Sequence, residues 1–99
     1  MHRAMSEHRP VAAAIERKLR AVFQPLVLIV TDESHRHAGH AGVREGGESH
    51  FHVRIVSPAF QGLSRVERQR RVYAALSDEI SGGVHALALT ILTPDEAAG

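Results

Sequence analysis

The sequence predicts an α+β domain in which helices cover one face of a three-stranded mixed sheet, in the order helix, strand, strand, helix, strand, with a last helical turn. Three observations lead there. Two segments, within residues 11–23 and 65–80, carry apolar residues at helical spacing, and three short runs carry the composition or alternation of strands. The connection between the second and third runs is helical and about two dozen residues long, which joins parallel strands through a right-handed crossover. Residues 1–99 read as one domain, without a linker or an internal repeat, and residues 1–6 are expected to be disordered.

Val11, Ile15, Leu19, Val22 and Phe23 form the apolar stripe of the first helix, with Glu16, Arg17 and Lys18 mostly opposite. Pro10 is tolerated only in a first helical turn, so the helix begins near residues 7–9, and Pro25 ends it. Residues 26–31, "LVLIVT", are rich in β-branched side chains and form a strand whose near-continuous apolarity implies contacts on both faces. In "HFHVRIVS", Phe51, Val53 and Ile55 alternate with His50, His52 and Arg54, the pattern of a strand with one buried and one wetter face. The two strands pair antiparallel across a loop over 33–49.

Ser64 and Glu67 make a capping box, so the second helix starts at residue 65, and Gly82 and Gly83 stop it. Its stripe is Val66, Tyr73, Leu76 and Ile80; Gln69 and Arg70 interrupt it, so the first half is only partly buried. Leu87, Leu89 and Ile91 alternate with Ala86, Ala88 and Thr90 as the third strand, and His85 shares the parity of the leucines. Thr93, Pro94, Asp95 and Glu96 cap one closing turn.

Composition removes several functions. The chain has no cysteine, which excludes disulfides, thiolate zinc sites, a self-contained four-thiolate iron–sulfur site and cysteine nucleophiles. Its formal charge of +1 gives no global pull toward nucleic acid or anionic membrane. The longest apolar run, "PLVLIV", is far short of the roughly 20 residues that span a bilayer, and the N-terminus has no apolar stretch of signal-peptide type, so a cytoplasmic protein is expected. No triad assembles around Asp32, Glu33 and Ser34, where turn hydrogen bonding is the ordinary explanation, and no H-E-x-x-H helix is present. The chain does not read as an enzyme.

Histidine is the chemistry that remains. "SHRHAGHAG" places His35, His37 and His40 in a loop of about 16 residues, where hairpin loops ordinarily have about 2 to 5. If the second and third strands are neighbours, His85 stands at the base of that loop, within reach of His37 or His40. His50 and His52, opposite Phe51 in parity, read as polar side chains on the solvent-facing side of the strand.

"TDESHRHAGHAG", "ESHFHVRIVSPAFQGLSRVERQRRVYAAL" and "VHALALTILTP" together resemble the BolA family over almost the whole chain after the first helix. The resemblance implies a class II KH-like fold and a partnership with a monothiol glutaredoxin, the two proteins sharing a [2Fe–2S] cluster. In that arrangement the glutaredoxin cysteine and a glutathione supply thiolates. The BolA-like chain supplies the histidine of V-H-A-L, here His85, and a ligand from the first hairpin loop, which without cysteine has to be histidine. His37 aligns with the loop histidine of relatives that have one, His40 lies close enough to substitute, and His35 comes third. Where the family reads R-H-R, this chain has Arg68, Gln69 and Arg70, which leaves any role of the middle histidine unsupported. The isolated protein is expected to be a monomer without a cofactor. Iron–sulfur trafficking or iron and redox regulation is the function implied. The alternative is transcriptional regulation through DNA, with Arg65, Arg68, Arg70 and Arg71 on phosphates, although a solvated helix face explains such a run more often and only four aromatic residues are available for stacking.

Overall fold

The computed structural model describes residues 10–33 and 49–99, and in it the alternating segment around Phe51 becomes the middle strand of a three-stranded sheet. Helix α1 (Pro10–Phe23) leads into β1 (Val27–Asp32); β2 (His50–Val56), a 3-10 turn (Pro58–Phe60), α2 (Arg65–Ala75), α3 (Ser77–Ser81), β3 (Ala86–Leu92) and α4 (Pro94–Ala98) follow. β1 pairs antiparallel with β2, and β2 parallel with β3, as the long helical crossover requires. The expected disorder at 1–6, a helix start at 7–9 and all of the 33–49 loop except its two end residues lie outside the described residues.

Register sorts the side chains. Leu28 pairs with Ile55, Val53 with Leu89 and Ile55 with Ile91, so these residues share one face of the sheet. That face packs on Ile15, Leu19 and Phe23 of α1, Val72 of α2, Leu76 and Phe60. Each large apolar side chain fully buried here contributes about 1.5–3 kcal/mol, and Ile15, Leu19, Val53, Ile55, Phe60, Val72 and Leu76 have no exposed surface at all. The Phe23 and Phe60 rings meet with centroids 4.9 Å apart, and Ser57 locks the same corner by donating its hydroxyl to the Phe23 carbonyl at 2.6 Å.

The helical stripes are narrower than the periodicity implies. Val22 is 55% exposed, so α1 buries an i, i+4, i+8 row only. In the second helical segment Val66 (62% exposed) and Tyr73 (38%) lie on the outer side, and the buried row is Arg68, Val72 and Leu76. This segment is also two helices. At Leu76 the backbone leaves the helical region (φ −109°, ψ 20°), and the bend turns α3 so that Glu79 and Asp78 meet Lys18 of α1 at 2.9 and 3.4 Å. Above all the hydrogen bond from Lys18 to Glu79 raises the lysine pKa from its ordinary 10.5. In β1, one residue later than predicted, Leu28 is buried but Val27 and Ile29 are 40% and 51% exposed. Among the described residues the sheet is covered on one face there, not two.

Arg68 occupies a core position because its charge is answered. Its Nε donates to the Leu63 carbonyl at 3.0 Å and its Nη1 to the Ile91 carbonyl at 3.3 Å. The guanidinium also grips Glu96 in a two-point pair at 2.7 and 3.2 Å, the planar fork to which arginine is suited. Glu96 in turn closes the capping box of α4: Thr93 N–H donates to Oε1 at 2.9 Å and Glu96 N–H to Thr93 Oγ1 at 3.2 Å.

The Arg68 hydrogen bond, then the Thr93 backbone bond, hold the Glu96 carboxyl at about 2 against an ordinary 4.5. A depressed carboxylate pKa contributes stability that is complete above the unfolded value and is lost as pH falls through the folded value. Denaturant midpoints measured against pH are expected to drop between about 4.5 and about 2, and Glu96→Gln to flatten that window while lowering stability at neutral pH.

Candidate histidine site at the sheet end

Chain geometry before β3 decides where His85 goes. Gly83 adopts φ +129°, a conformation that L side chains rarely take, and Val84 then drops into the core. The backbone N–H groups of His85 and Ala86 both donate to the carbonyl of Ser49, at 2.7 and 3.2 Å. His85 is exposed and does not share the leucine parity expected for it, because regular pairing starts only at Ala86, opposite His50. Alternation read back from Leu87 cannot cross residues that have not yet joined the strand.

That register brings His50 beside His85. The two imidazole rings have centroids 6.2 Å apart and planes inclined at 40°. His50 is half-buried, and its Nδ1 shares a hydrogen bond of 2.9 Å with the hydroxyl of fully buried Ser49. His52 sits on the same strand but shares its Nε2 with Thr90 Oγ1 at 3.0 Å. The polar-face reading suits His52; for His50 it misses a neighbour that only the parallel register reveals. His35, His37 and His40 lie outside the described residues. Among the described residues no three His, Asp or Glu side chains converge as a metal-binding group.

The arginine run divides. Arg68 is buried in the pair with Glu96, so it is no part of a solvated basic face. Arg71 reaches Glu67 at 3.2 Å and Arg70 reaches the same carboxylate at 3.6 Å. Arg65 and Arg70 border a shallow depression of about 610 Å³ with Val66, Gln69, Tyr73 and Ala74 on the outer side of α2. Gln69, at the position of the family's middle histidine, is exposed there. No helix among the described residues is long and apolar enough to cross a membrane.

A family model described as BolA-like protein matches residues 19–96. The chain is 51% identical over 85 residues to BolA-like protein 1 of Bos taurus, covering 86% of this chain and 60% of that one. It is 49% identical over 85 residues to the DNA-binding transcriptional regulator BolA of Escherichia coli, covering 86% and 77%. Among solved structures, the BolA domain of SufE1 from Arabidopsis thaliana superposes with a TM-score of 0.77 at 46% identity, covering 86% of this chain and 93% of that domain. Against three of the curated relatives the chain spans 23%, 54% and 60% of their length.

Arg68→Ala is expected to lower stability by about 2–3 kcal/mol, because two carbonyls and a packed stem lose their partner. Arg65→Ala and Arg70→Ala are expected to change it by less than about 0.5 kcal/mol. Chemical denaturation of the three variants checks this division.

Proposed function

The chain belongs to the BolA-like family, and we propose that it acts as a partner of a monothiol glutaredoxin, sharing a glutathione-assisted [2Fe–2S] cluster through histidine ligands. One observation carries the proposal: His85, the histidine of V-H-A-L, is exposed on a backbone held by two hydrogen bonds to Ser49. A ligand so placed meets an incoming partner without an ordering cost at its backbone.

The donor chemistry fits the group. Without cysteine the chain offers imidazole, and imidazole in place of thiolate on one iron raises the potential of such a cluster, as in Rieske centres. His85 would hold that iron together with His37 or His40 of the loop, His35 being the third choice. An imidazole must shed its proton before it binds metal, so ligation is expected to weaken as pH falls. Trafficking of the cluster, or iron and redox regulation, follows from a cluster held at such a shared surface. We expect the protein to work in the cytoplasm and to be a monomer when alone.

A role in DNA regulation draws support from the name of the Escherichia coli relative. The basic helix supports it less than its composition implies. Arg68 is committed to Glu96, and Arg70 and Arg71 share Glu67, so Arg65 alone of the four forms no ion pair among the described residues.

Co-expression with a monothiol glutaredoxin is expected to yield a complex with the visible absorption and circular dichroism of a mixed-ligand [2Fe–2S] cluster. His85→Ala should abolish or shift that signature, and one of His37→Ala and His40→Ala should alter it. An unchanged spectrum in the His85→Ala complex would overturn the assignment.

A further inference from the structure

We propose that His50 and His85 together bind a single divalent transition-metal ion, of the zinc or copper class, in the isolated protein. The pair is a consequence of strand register: His50 is the residue opposite Ala86, and the Ser49 carbonyl ties down the amides of both His85 and Ala86. Both Cα positions are therefore set by the sheet before any metal arrives. With metal–nitrogen bonds of about 2.0–2.1 Å, two imidazoles on a tetrahedral ion have ring centres roughly 5 Å apart. The observed 6.2 Å needs a closure of about 1 Å, which side-chain rotation supplies without backbone movement.

The environment of His50 matches that of a ligating imidazole. A histidine that binds metal through one nitrogen generally anchors its other ring N–H to a neighbour, which sets the tautomer and the ring orientation. Ser49 stands in that place. The tautomer that donates Nδ1–H to Ser49 Oγ, 2.9 Å away, puts the lone pair on Nε2. His85 is exposed, so water can complete the coordination sphere, and imidazole donors favour copper, nickel and zinc over harder cations. His52 stands two residues further along β2, opposite Ala88, with its ring turned to Thr90, whereas the ring beside His85 is that of His50.

This site does not depend on the cluster reading, since it needs neither the loop histidines nor a partner. The test is a Cu²⁺ titration of the full chain carrying His2→Asn, His8→Asn, His35→Asn, His37→Asn and His40→Asn, followed by d–d absorption and by nitrogen hyperfine structure in electron paramagnetic resonance. One equivalent should bind through two nitrogens. Adding His50→Asn or His85→Asn should weaken binding by at least about tenfold, no less than the loss of a partner behind a ligand costs, whereas adding His52→Asn should leave it unchanged. Far-ultraviolet circular dichroism and the thermal midpoint of each variant show that the fold persists. No stoichiometric binding in the five-substitution chain, survival of the site in His50→Asn or His85→Asn, or equal loss in His52→Asn would each overturn the proposal. Copper binding without a glutaredoxin-shared cluster would sink the cluster reading and leave this one standing; the reverse result would do the opposite.

Discussion

Both the core and the histidine pair follow from the parallel pairing of β2 with β3. A parallel neighbour cannot be reached by a tight turn, so the chain must cross over the sheet, and α2 and α3 are that crossover. Their buried row covers the sheet, and the return to β3 is made at the end where β2 begins. The Ser49 carbonyl, accepting from both His85 and Ala86, marks the point where the two strands come together. One pairing thus creates the core on one face and the histidine pair at one end.

A second tie holds the opposite end of β3. Arg68 joins the start of the crossover to the last residues of the strand through the Ile91 carbonyl and Glu96. A buried ion pair is weak support for stability when compared with an apolar replacement, but breaking one partner is costly. Its effect here is positional: α4 is only five residues long, and the Glu96 carboxylate both caps it and attaches it to α2. The run of arginines that looks like one feature in the sequence serves two purposes, three side chains on the outside and one inside.

The order of elements, the antiparallel and parallel senses of the strands and the two helix starts at Ser64 and Thr93 were legible in the sequence because each rests on local spacing or on a topological rule. Thr93 makes its reciprocal box with Glu96, and Ser64 accepts from Glu67 N–H, but the expected return bond is not made there because the Glu67 carboxylate turns to Arg70 and Arg71. Four features were not legible, for physical reasons. Arg68 reads as a surface residue because the partner that neutralises it is 28 positions away. Val66, Tyr73 and Val22 read as core because periodicity reports which residues are apolar, not how wide a face the sheet can cover. His50 reads as a solvent-facing side chain because its parity is correct for the open face, and its nearness to His85 depends on the register of a parallel pair, which no local signal encodes. The hydrophobic run of β1 misled in the same way: Val27 and Ile29 are apolar, yet the described structure covers only the other face.

Strand register alone, with no metal or partner present, sets His85 beside His50. Proton nuclear Overhauser spectroscopy of the metal-free protein tests it most directly. Rings with centroids 6.2 Å apart should give a cross-peak between the imidazole protons of His50 and His85, together with slow exchange of the His85 and Ala86 amides that donate to Ser49. Absence of that cross-peak, with both amides exchanging as fast as those of an unfolded chain, would show that the register does not place the two rings together.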